Sequence, residues 1–182
     1  MVFLVRIKMK KNTSAFTTAE LLISLGIVSI IAAFAITVLT VNFKNAELLR
    51  NDSELEFHSQ YILNFLSVKV MEAGKIVYIK SGQSSALNYG REVAVDKVAF
   101  RYGIDERYCY IFEVRNDKIF YGNGSMNDTA NAELGTYVSE LKMAPYPEGT
   151  KFRDAKAIMV TLVLLKNGRN YETHQVYYMR GS

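Results

Sequence analysis

Hydrophobic and polar positions divide the chain into stretches of different period. Residues 21–43, LLISLGIVSIIAAFAITVLTVNF, contain no charge. At ~1.5 Å per residue they make a helix of roughly 35 Å, enough to cross a hydrocarbon core of ~30 Å. Beyond this run the apolar positions spread to a helical period. Leu48, Leu55 and Ile62 fall seven apart, Phe65 and Leu66 continue the stripe, and Arg50, Asp52, Glu54 and Glu56 fill other faces. Gly74, after Glu72-Ala73, is placed to cap the helix. The spacing predicts one helix over residues 16–73, apolar all round in its first half and amphipathic in its second.

After Gly74 the period falls to two. Residues 75–79, 93–102 and 108–114 read as strands rich in β-branched and aromatic side chains, with a loop over 81–85. Asn116-Asp117 separates 108–114 from a strand at 118–121 and predicts a hairpin. Residues 122–131 read as a loop of Gly, Asn and Ser. The clearest hairpin comes last: strands over 158–166 and 169–179 flank Asn167-Gly168, which suits a type I′ turn. The expected class is α+β, a long N-terminal helix packed on a C-terminal antiparallel β domain.

Composition narrows the class. A chain of 182 residues holds one domain and an appendage. With 49% apolar and 22% charged residues it is neither a disordered chain nor a polytopic membrane protein. One cysteine, Cys109, excludes an internal disulfide framework and a Cys-rich metal site. His58 and His174 leave little for zinc, and Pro145 and Pro147 exclude a proline-rich linker.

The net charge of +4 comes from one place. Arg6, Lys8, Lys10 and Lys11 lie in the first fifteen residues with no acid among them, and the other 18 basic residues face 18 acidic ones. Basicity confined to the N-terminus reads as topology: this end inside, one crossing of the cytoplasmic membrane, the head outside. With no basic run, the isolated head is expected to bind DNA only weakly and in a salt-sensitive way. A secretory signal peptide has a shorter apolar region with small residues after it, whereas here Ala15 precedes a long run.

Glu20 stands immediately before that run. A carboxylate there can lie at the membrane interface; buried among apolar groups it needs a neutralising partner. Cleavage between Ala15 and Phe16 would create one, an α-ammonium four residues ahead of Glu20.

The stretch Ala15-Phe16-Thr17-Thr18-Ala19-Glu20-Leu21-Leu22 resembles the signal of type IV prepilins and type II secretion pseudopilins. That family has a short basic leader, a small residue at the cut, Phe as first and Glu as fifth mature residue, then an uninterrupted apolar run. Phe16, Thr17 and Glu20 match it. Ala15 stands where Gly is usual, and Thr37 where a major pilin usually has Pro. Thr37 lets the helix continue unbroken and points to a minor subunit. Met9 is an alternative start to Met1, giving the leader Met-Lys-Lys-Asn-Thr-Ser-Ala. More distantly, the head resembles larger minor subunits of the J/W type, on the helical stretch 54–79, the strand Lys118-Ile119-Phe120-Tyr121 and the closing Tyr177-Tyr178-Met179-Arg180.

The resemblance implies a leader peptide (1–15), a transmembrane and filament-core helix (16–43), an amphipathic half-helix (44–74) and a β head (75–182). It implies cleavage between Ala15 and Phe16 by a prepilin peptidase that also N-methylates Phe16. Other pilin or pseudopilin subunits and an inner-membrane assembly platform are the implied partners. In such a filament Glu20 is expected to pair with the Phe16 α-ammonium of a neighbour and to set axial register. Adhesion or motility, protein secretion and DNA uptake all remain open as the filament's task.

Catalytic readings fail on their motifs. Gly122-Asn123-Gly124 lacks the third glycine and the helix of a dinucleotide loop, and reads as a flexible turn. There is no Gly-x-Ser-x-Gly, Walker A or His-Glu-x-x-His pattern. Cys109 alternates with Tyr108 and Tyr110 and reads as a buried structural thiol. No cofactor is implied and a non-enzymatic role is expected. The competing reading is a permanently anchored protein whose outer β domain binds a ligand or partner.

Overall fold

The structure, a computed structural model, describes residues 17–105 and 107–180. One helix, α1 (Thr18–Glu72), precedes the strands β1 (Lys75–Ser81), β2 (Ser84–Ser85), β3 (Val93–Ala94), β4 (Lys97–Arg101), β5 (Cys109–Arg115), β6 (Lys118–Gly124), β7 (Ala132–Thr136), β8 (Val138–Tyr146), β9 (Ala157–Lys166) and β10 (Arg169–Tyr178). All pairings are antiparallel. The fold is α+β, a single long N-terminal helix followed by antiparallel sheets.

The chain divides into two compact units between Glu47 and Leu48. In the first, every described side chain of α1 is exposed. One described helix is long and apolar enough to cross a membrane. In the second unit α1 buries a seam at steps of three and four: Asn51, Leu55, Ser59, Ile62, Leu63, Leu66 and Val70. Leu48, expected in the stripe, lies outside it at 41% exposure. Phe65 is half-buried and meets the Phe112 and Tyr121 rings edge-on. The helix ends at Glu72 as expected, but Gly74 is not a left-handed cap. Its N–H donates to the Arg101 carbonyl at 2.8 Å and leads into β1.

Two sheets close the core over this seam. One has the order β2-β1-β4-β5-β6-β7, the other β10-β9-β8-β3. Phe100, Phe112 and Ile119 from the first and Leu141, Met143, Ile158, Val160, Leu162 and Leu164 from the second join the helix residues in one cluster. The expected strand 93–102 is two strands in different sheets. Val95 and Asp96 carry the chain across: the Val95 N–H donates to Leu141 at 2.7 Å and the Asp96 N–H to Lys80 at 2.9 Å. The inward positions shift from Val93 and Val95 to Val98 and Phe100 across Asp96-Lys97, but both strands face the same core and the shift alone does not say that the chain changes sheet.

Residues 122–131, read as a loop, begin as strand: Gly122, Asn123 and Gly124 pair with Ile111, Tyr110 and Cys109 in β6, so they are not a flexible turn. β7 and β8 carry no predicted counterpart. In β8, Pro145 argues against a strand. It is tolerated because β3 pairs only with Lys142 and Met143, leaving β9 as the one neighbour at Pro145. Both expected hairpins are present, with φ of 51° and 57° at Asn116-Asp117 and 49° and 76° at Asn167-Gly168, the positive values a type I′ turn requires.

Candidate functional site

The processing residues Ala15 and Phe16 lie outside the described residues. Glu20 lies within them, in a role the sequence reading missed. Its Oε2 accepts from the Thr17 N–H and the Thr17 hydroxyl, both at 2.9 Å, and its own N–H donates to Thr17 Oγ1 at 3.3 Å. This reciprocal pattern is a capping box, which satisfies donors that a helix start leaves open. Thr-x-x-Glu before an apolar run is the sequence signal for it. Glu20 therefore has donors in its own chain, besides any charge a neighbour brings.

The hydroxyls of the apolar stretch are also satisfied within the helix. Ser24, Ser29, Thr37 and Thr40 donate their hydroxyls to the carbonyls of Glu20, Leu25, Ala33 and Ile36 at 2.8–2.9 Å. A helix in lipid, or among other apolar helices, must satisfy its polar groups internally. Thr37, at the position where a proline would break the ladder, instead adds a bond to it.

A second uncovered surface lies on α1 within the head. Phe57, Tyr61, Val68 and Met71 are 69, 52, 47 and 38% exposed, with exposed Asn64 between them. Their spacing is four, three, four, three. At about 100° per residue the five fall along one line, opposite Leu55, Ile62 and Leu66. From Phe57 to Val68 there is no Asp, Glu, Lys or Arg. The reading of α1 as one-sidedly amphipathic overlooked this stripe, although the heptad-like spacing was legible. A surface depleted of charge and enriched in aromatic residues and Met has the composition of an interface core.

The remaining candidates lie apart from one another in the sheets and on α1. Cys109 is fully buried in a small cluster with Ala99, Ile111 and Ala130. The His58 ring meets Phe57 and Tyr137 edge-on, while His174 is exposed on β10. Tyr102 stacks on Tyr110 at 4.2 Å, and the Tyr110 hydroxyl donates to Glu72 Oε2 at 2.7 Å. Burial and this bond push Tyr110 well above the usual phenol range. The Tyr110 and Lys69 hydrogen bonds hold Glu72 below the usual carboxylate range. Among the described residues no group of three or more His, Cys, Asp or Glu could hold a metal ion.

No family model matches the chain, nor does any characterised protein or solved structure.

Proposed function

We propose that this chain is a structural subunit, a minor pilin or pseudopilin, cut after Ala15 and assembled through α1 into an envelope-spanning filament. The observation that carries the reading is that α1 leaves two apolar surfaces uncovered by its own chain. Residues 21–43 could be covered by lipid alone, so they fit a plain anchor equally well. The stripe Phe57–Tyr61–Val68–Met71 lies beyond the apolar run, where lipid does not account for it. Its four-three spacing fits the side of another helix, and the occupant we assign is the helix of a neighbouring subunit.

The test separates charge from capping at Glu20. Gln also completes a capping box, so Glu20→Gln keeps the helix start and removes only the charge. The variant should insert and be cleaved to a chain beginning at Phe16, read by mass spectrometry, yet fail to join filaments. Tyr61→Glu should keep the head folded, read by its thermal melt, and lose cross-linking to neighbouring subunits. Normal assembly of both variants, or a mature chain beginning at Met1 or Met9, would return the protein to the single-pass anchor reading.

A further inference from the structure

Where β1 meets β4 in the six-stranded sheet, two cations come together with no acid among the described residues paired to either. Lys75 on β1 and Arg101 on β4 stand directly opposite one another in the ladder. Their like charges share one face, an arrangement that destabilises a strand pair. Among the described residues neither has an ion-pair or side-chain hydrogen-bond partner, and Arg153 has none either. Other cations on the sheets are matched: Lys118 by Glu133 at 2.7 Å, Arg115 by Glu113 and Lys142 by Glu140 at 3.3 Å. In the other like-charged pair on this ladder, Lys80 and Lys97, Lys97 Nζ donates to the Asp128 carbonyl at 2.8 Å.

Lys75, Arg101 and Arg153 line one open cleft of about 250 Å³, with Val77, Leu87 and Met126 among its apolar walls and no carboxylate. Paired strands hold the first two cations. Arg153 is placed by its N–H donating to the Leu87 carbonyl at 3.1 Å, and the adjacent Phe152 N–H donates to Tyr89 at 3.1 Å. Residues 16–182 carry equal numbers of acidic and basic side chains. The cluster is therefore a local choice and not part of a generally basic surface.

We propose that this cleft binds the phosphate monoester group of a ligand whose body lies outside it. Three cations suit a group carrying about −1.5 to −2 charge better than a single carboxylate. Two guanidinium forks and one ammonium match three phosphate oxygens. The volume falls below the ~300–1,000 Å³ of sites that enclose a whole small molecule, so the cleft holds a head group. The inference does not depend on assembly into a filament.

The test uses the full chain in detergent with inorganic phosphate as probe, against sodium chloride at equal ionic strength. Phosphate should raise the melting temperature of the head above the chloride control, and calorimetric titration should show saturable binding. Arg101→Gln should weaken binding by about ten- to a hundredfold. Without phosphate, Lys75→Gln and Arg101→Gln should melt no lower than the parent, because each removes a like-charge contact. That separates lost binding from lost folding. Glycerol phosphate and nanodiscs containing phosphatidic acid then distinguish a soluble ligand from a lipid head group, by whichever binds more tightly per phosphate. A phosphate response no larger than that of chloride, or one unchanged in Arg101→Gln, would overturn the proposal.

Discussion

The two parts of α1 share one continuous helix and both carry many Leu, Ile and Val side chains, yet they keep them in opposite surroundings. In the first unit no described side chain is buried; in the second, Leu55, Ile62 and Leu66 are fully buried against two sheets. Apolar character therefore does not by itself say what a helix packs on. Residues 21–43 carry no polar face, so they are suited to any apolar surrounding. In the head, charges and amides around the seam allow only one face toward the core, and the second stripe stays exposed.

The sharpest way to break this comparison is to make the same truncation in both parts. Leu66→Ala should destabilise the head by about 2–5 kcal/mol, the range for a large-to-small change in a packed core. Ile30→Ala should leave head stability within about 0.5 kcal/mol of the parent. Chemical unfolding followed by the head's near-ultraviolet signal measures both, and equal effects would erase the distinction.

A smaller effect tests how closely the head half is fitted. A Cβ on Gly135 of β7 would stand 2.6 Å from Ile62 Cδ1 and 2.8 Å from Cγ1. Gly135→Ala should cost about 1–3 kcal/mol, the range for overpacking. Adding Ile62→Val, which removes Cδ1, should make the double variant more stable than the sum of the single changes predicts. Strict additivity in the same unfolding assay would show that β7 simply moves aside.

The smallest expected effect is one of pH. The Tyr177 hydroxyl has two acceptors for its one proton, Gln175 Oε1 at 2.7 Å and the Leu63 carbonyl at 3.2 Å, and burial pushes its pKa up to about 12. The raised value favours the protonated folded state. Its contribution is complete below the ordinary value near 10 and is lost as pH rises through about 12. Head stability should fall over that window, and more gently in Tyr177→Phe. An identical slope in the variant would place the alkaline sensitivity elsewhere, Tyr110 being the next candidate.

Local pattern made much of the architecture legible. The uncharged run, the helical stripe and the two hairpins follow from periods and turn residues that act over a few positions, and Asn167-Gly168 is right because its backbone demands are local. The break at Val95-Asp96 and strands β7 and β8 were not legible. Each depends on which distant strand accepts the backbone hydrogen bonds, as β9 does for Pro145. At the candidate site, the Glu20 capping box and the opposite-face stripe were both readable in residue spacing.

What the sequence alone determined is the class of the chain and its asymmetry. The basic stretch ahead of residues 21–43 and the change from helical to alternating period are properties of neighbouring residues, and no distant contact is needed to fix them. Only the tertiary structure decided which of two apolar faces of α1 enters the core, because that choice depends on the shape the sheets offer. It also decided that Lys75, Arg101 and Arg153, spread over 79 positions of the chain, line one cleft. Strand pairing sets such neighbours across long loops, and the energy of a like-charged pair becomes visible only once the ladder has put its members opposite each other.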